Sequence, residues 1–152
     1  MADISALIPS KTSGARSLYT SRKRNQSELN TMRPKILVVE NNQPILQLME
    51  ILLKNLGYEP VLVENGIDAL QLVRREPPAL ILLDIMMTPI SGWEFLERLR
   101  SEPAHKEIPV ILFTASTTVM ERMAQMNDPR LGVLHKPVTL SELKRGIEQH
   151  LL

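Results

Sequence analysis

Five short apolar runs punctuate the chain from Lys35 onward, and a stretch with helical spacing follows each of them. "KILVV" (35–39) is rich in β-branched residues, reads as a strand, and ends in Glu40, Asn41 and Asn42. "PILQLMEILLKNLG" (44–57) then places Ile45, Leu48, Met49, Leu52, Leu53 and Leu56 at helical spacing. Pro44 suits the first turn of that helix and Gly57 its stop. "EPVLV" (59–63) predicts a second strand, "ENG" its turn, and "IDALQLVRRE" (67–76) a helix closed by Pro77 and Pro78. The same alternation continues through "ALILLD" and "GWEFLERLRS", "IPVILFTA" and "TTVMERMAQM", "LGVLHKP" and "LSELKRGIEQHLL".

Strands that alternate with helices imply an α/β fold, a parallel five-stranded sheet covered on both faces. Its connections are right-handed, and its functional crevice lies beyond the carboxyl ends of the strands. Those ends carry Glu40 and Asn41, Val63 and Glu64, Asp84, Thr114 and Ala115, and His135 and Lys136. In "LILLDIMMTPISGW" (80–93) solid hydrocarbon runs directly into the acid Asp84. Burying an unpartnered carboxylate costs several kcal/mol or shifts its pKa. Asp84 therefore either caps the following helix or belongs to a chemical site.

Residues 1–33 differ in texture. They are rich in Ser, Thr, Asn and basic residues and lack sustained periodicity, which predicts a basic, flexible N-terminal tail before a domain spanning 34–152. Lys11, Arg16, Arg22, Lys23, Arg24 and Arg33 face only Asp3 and Glu28, so a basic tail joins a mildly acidic body although the whole chain is nearly neutral at +1. The absence of cysteine excludes disulfides and thiolate metal sites. No apolar run approaches the roughly 20 residues of a membrane span. The N-terminus is unlike a secretory signal, and a cytoplasmic protein without membrane contact is the expectation.

The chain from Lys35 to Leu152 resembles a response-regulator receiver domain, the phospho-accepting module of two-component signalling. "KILVVENN", "LILLDIMMTPISGW", "ILFTAS" and "LHKP" carry the resemblance, in order, at the ends of strands one, three, four and five. It implies a flavodoxin-like doubly wound (βα)5 fold with no enzyme activity of its own, and a phosphoryl group taken from a histidine kinase or phosphotransfer protein onto Asp84. Mg²⁺ would be held by Glu40, Asp84 and the Met86 backbone carbonyl. Lys136, aimed by a cis bond to Pro137, would pair with Asp84 at rest and with the phosphoryl group after transfer. Thr114 would donate its hydroxyl to that group as the switch. No output domain follows the last helix, so the expectation is a single-domain receiver acting on a separate effector in trans, with no direct DNA binding. Dimerisation through the fourth and fifth helices is left open.

Three departures from the family pattern matter. Asn41 stands where a second acid usually ligates the metal; it keeps a carbonyl oxygen and loses a charge, so it is a weakened or lost ligand, with Asn42 or water as substitutes. "MMTP" replaces the usual "MMPG", yet Gly92 keeps its distance from Asp84, so the loop is reshaped rather than lengthened. Val133 replaces a switch aromatic, leaving any switching to Thr114 and the backbone of residues 115–118. The alternative reading is therefore a degenerate receiver that binds partners without phosphorylation. An aspartyl phosphohydrolase is disfavoured because Met86 occupies the place of its second acid, and a flavin-binding module because "ENNQP" lacks a hydroxyl-rich phosphate loop. Met120, Met123 and Met126 read as core packing before an adaptable interface. Trp93 reads as a helix anchor, His105 and His150 as surface residues, and His135 as a structural neighbour of Lys136.

Overall fold

A computed structural model describes residues 33–151. The expected tail over 1–33 lies, but for Arg33, outside the described residues. Strands β1 (Lys35–Val39), β2 (Glu59–Val63), β3 (Leu80–Leu83), β4 (Val110–Thr114) and β5 (Leu131–His135) alternate with helices α1 (Gln43–Asn55), α2 (Gly66–Arg75), α3 (Gly92–Ser101), α4 (Val119–Met126) and α5 (Leu140–His150). All four pairings are parallel, in the order β2-β1-β3-β4-β5. The doubly wound (βα)5 architecture expected from the alternation is the one observed.

Alternation along the strands divides the core. Leu37, Val39, Ile81, Leu83, Val110 and Leu112 face the side covered by α2 to α4. Ile36, Val38, Leu80, Leu82, Ile111 and Phe113 face the side covered by α1 and α5. Both faces are apolar, as a fully covered parallel sheet requires, and each fully buried Leu or Ile adds about 1.5–3 kcal/mol of burial.

Most helix starts are capped as their sequences dictate. The side chains of Asn42, Asn65, Ser91 and Thr139 accept from backbone N–H groups in the first turns of α1, α2, α3 and α5. Thr139 and Glu142 complete a reciprocal capping box. The α4 helix is the exception, because Thr118 at its start makes no capping bond and only Val119 of the helix is buried. Gly57 takes φ +89° just after α1, the left-handed stop that its position predicts.

Several packing expectations are corrected. The buried stripe of α1 is Leu46, Met49 and Leu53; Leu48, expected inside, is 49% exposed beside Ile51. His105 is buried, because the turn Pro103–His105 after α3 folds it under the chain; a three-residue element carries no periodicity to reveal this. His150 is half-buried and stacks over Gly132 of β5. Met120 and Met126 are exposed and only Met123 packs on the core, so the methionine stripe is not core. Trp93 does anchor its helix, half-buried against the core with the Arg122 guanidinium over its ring at 4.4 Å.

At the amino ends of β4 and β5, away from Asp84, Arg100 ties its own helix α3 to three other segments. Its Nε donates to Asp128 Oδ2 at 2.9 Å, and Nη1 donates to the carbonyls of His105 at 2.9 Å and Ile108 at 2.7 Å. Asp128 Oδ1 in turn accepts from the Arg130 N–H. The turn after α3, the lead into β4 and the lead into β5 are thereby held on one guanidinium.

Candidate functional site

Glu40, Asp84, Thr114 and Lys136 follow or end β1, β3, β4 and β5, on the carboxyl side of the sheet. The apolar strands behind them set their depth: Glu40 is 1%, Thr114 1% and Asp84 5% exposed. Lys136 Nζ donates to Glu40 Oε1 at 2.6 Å and lies 3.5 Å from Asp84 Oδ1. The resemblance implied a resting pair with Asp84; the closer partner is Glu40, and the ammonium sits between both acids. The Lys136–Pro137 bond is cis, as the resemblance implied, and Thr88–Pro89 is also cis.

The backbone braces both carboxylates. The Asn42 N–H donates to Glu40 Oε2 at 3.2 Å and the Met86 N–H donates to Asp84 Oδ1 at 3.2 Å. Burial pushes the Glu40 carboxyl up from its ordinary range; the Lys136 hydrogen bond opposes this, and the adjacent Asp84 carboxylate reinforces it. Two acids thus share one ammonium. Gly92 closes the loop behind Asp84: its N–H donates to the Ile85 carbonyl at 2.8 Å, and a Cβ there would lie 2.4 Å from the Asp84 carbonyl oxygen. Only glycine permits so close an approach, which explains why the reshaped "MMTPIS" loop keeps Gly92 in place.

Thr114 Oγ1 accepts from the Ser116 N–H at 3.0 Å, and the Ser116 and Thr118 hydroxyls bond each other at 2.9 Å. These bonds order the start of the β4–α4 loop around Thr114. Val133, in place of an aromatic, is half-buried against the core. Asn41 is exposed, and Asn42, considered as a substitute ligand, commits its side-chain oxygen to the Ile45 N–H as the cap of α1. Met86 projects outward, 76% exposed, so only its backbone faces the site's chemistry.

The donor set fits a hard cation with reduced charge. Among the described residues no three His, Cys, Asp or Glu side chains gather as a metal cluster. Mg²⁺ needs only one or two carboxylates with carbonyls and waters, and Glu40 and Asp84 supply the pair. A groove of about 670 Å³ between α3 and α4 is lined by Trp93, Arg100, Arg122 and Met126 and includes none of Glu40, Asp84, Thr114 and Lys136.

The sequence profile of the response regulator receiver domain matches residues 36–148, and the chain belongs to that family. It is similar to the transcriptional regulatory protein HprR of Escherichia coli K12, with 35% identity over 117 residues, covering 77% of this chain and 51% of that protein. The N-terminal domain of a response regulator receiver protein from Methanoculleus marisnigri has a similar structure: TM-score 0.64, 35% identity, 78% of this chain and 96% of that one. So has the receiver domain of the sensor histidine kinase PA1611 from Pseudomonas aeruginosa, solved with magnesium coordinated in its active-site cleft (TM-score 0.71, 27% identity, 78% and 98% covered). The chain spans about half the length of the curated relatives it matches. No helix among the described residues is long and apolar enough to cross a membrane.

Proposed function

We propose that this receiver accepts a phosphoryl group on Asp84 from a histidine kinase or phosphotransfer protein. The observation that carries the reading is the convergence of Glu40, Asp84 and Lys136, with Lys136 bonding Glu40 across 96 residues of sequence. An Asp84 carboxylate oxygen attacks phosphorus, the P–N bond of a phosphohistidine breaks, and the leaving imidazole nitrogen takes a proton. Phosphoryl transfer asks the protein for positioning and charge neutralisation rather than covalent chemistry. The Met86 N–H orients Asp84, Lys136 supplies a positive charge within reach of Asp84, and Thr114 offers a hydroxyl to the new anion. Glu40, Asp84 and the Met86 carbonyl would hold Mg²⁺, which neutralises phosphoryl oxygens when bound, and Asn41 leaves that ion a weaker hold than an acid would.

The chain is read as a signalling module rather than an enzyme, acting in the cytoplasm on a separate effector, without contacting DNA itself and with a homodimer as one route of output. The family supports the kinase as donor. Relatives such as HprR and the response regulator MprA of Mycobacterium leprae are regulators about twice the matched length. A second reading, a partner-binding receiver that is not phosphorylated, is favoured by Asn41 and by Val133 in place of a switch aromatic. One experiment separates the two: incubation with acetyl phosphate and Mg²⁺, followed by intact mass measurement. One added phosphoryl group, absent in Asp84→Asn, supports the first reading. An unlabelled native chain supports the second, and labelling that persists in Asp84→Asn removes Asp84 from the role.

A further inference from the structure

Lys136 has a third neighbour besides the two acids: its Nζ lies 5.0 Å from the centre of the Phe113 ring. Phe113 is 4% exposed and packs in the α1/α5 side of the core, one residue before Thr114. An ammonium over an aromatic face is attracted by the ring's quadrupole, and more so when partly desolvated. The Lys136 side chain is only 18% exposed, so the contact is shielded from water. A lysine stem has several rotatable bonds and loses much rotamer freedom when held. A branched aliphatic side chain at this place would fill volume without attracting the charge.

We propose that Phe113 is a positioning residue for Lys136, its ring face holding the ammonium between Glu40 and Asp84. The inference rests on the reading of Lys136 as the partner of the incoming phosphoryl group. Because the ring is neutral, it favours the ammonium whichever anion the ammonium pairs with. The hold therefore persists as the lysine exchanges Glu40 for a phosphoryl oxygen, while a carboxylate partner alone would compete with that exchange. Phe113 touches no reacting atom; it acts through Lys136.

Replacing Phe113 in the full chain with mono-, di- and trifluorophenylalanine tests this, since fluorination drains the ring quadrupole and keeps its shape. Two readouts are taken, with the unfolding midpoint as a check on the core. The first is the reactivity of the Lys136 amine toward acetic anhydride, measured by peptide mass spectrometry against Lys54 and Lys144 in the same molecule. The second is the rate of phosphoryl uptake from acetyl phosphate with Mg²⁺. Across the series, Lys136 reactivity should rise by about two- to ten-fold, as expected for losing a partly desolvated ring–ammonium contact. Uptake should fall by a similar factor while the midpoint stays constant. Unchanged Lys136 reactivity overturns the proposal, and so does unchanged uptake alongside raised reactivity. If the native chain takes up no phosphoryl group, the reading of Asp84 fails, and the amine reactivity alone still decides whether Phe113 holds Lys136.

Discussion

Replacing Arg100 with alanine should destabilise this domain more than any exposed charge change. The substitution strands Asp128, whose side chain is 14% exposed, and leaves the His105 and Ile108 carbonyls without their guanidinium donor. Breaking one side of a buried ion pair costs about 3–5 kcal/mol. Some solvent reaches both partners, at 16% and 14% exposure, which places the expected loss at the lower end, about 3 kcal/mol. Against a total of about 5–15 kcal/mol for a domain, that is a large fraction. With a urea slope of about 2 kcal/mol per molar, the unfolding midpoint should fall by about 1.5 M. The pair is also coupled, so Arg100→Ala with Asp128→Asn should cost less than the two single changes added together, by about 1–2 kcal/mol. Urea titration of the four proteins, followed by Trp93 fluorescence and circular dichroism, measures both quantities. A loss below about 1 kcal/mol, the scale of an exposed pair, or strict additivity of the two changes, would refute the view that Arg100 holds these four segments together.

Asn41→Asp restores a charge beside Glu40 and Asp84 and should tighten Mg²⁺ binding, read by titrating Trp93 fluorescence; equal affinities would place residue 41 outside the ion's reach. Thr139→Ala removes the α5 capping box and should lower the thermal midpoint by a few degrees, on the scale of about 1 kcal/mol for a lost cap. The Thr139 N–H and hydroxyl hold the Glu142 carboxyl below its ordinary value of 4.5. A depressed carboxyl contributes stability above its unfolded pKa and loses it as pH falls through the lower folded value. Alanine keeps the N–H and loses only the hydroxyl, so the hydroxyl's share of the difference between native chain and Thr139→Ala should shrink below pH 4.5, and a gap that widens in acid would contradict the assignment.

The strands were the most legible part of the sequence, because a sheet covered on both faces writes them as continuous apolar runs that no amphipathic helix shares. The helix α3 was legible to the residue, set between the Ser91 cap and the charged stretch at its end. Legibility failed where two faces of one element are both apolar. On α1, Leu48 and Ile51 form an outward pair that competes with Leu46, Met49 and Leu53 for the inward phase, and periodicity alone does not choose between them. In the site, the positions of Glu40, Asp84, Thr114 and Lys136 followed from strand ends and family resemblance. Which acid Lys136 approaches did not, since it depends on the reach of a flexible stem across two strands. Phe113 was invisible as a site residue because an aromatic in a buried strand already has a sufficient reason to be there. The burial of His105 was hidden in the same way, by a turn too short to leave a pattern.

The division of the core by the sheet has a consequence for how such a chain can be altered. Side chains on one side of the strands share no packing with those on the other, so each layer can be resized by design or drift without a matching change across the sheet. The site is the exception. It takes Phe113 from one layer and the neighbouring Thr114 from the opposite face, one residue apart on the same strand. A library that randomises either layer should therefore tolerate wide variation along most of its depth and become intolerant only in the last row of residues before the strands end. Mapping that boundary from both sides would outline the working surface of the protein without any ligand being known.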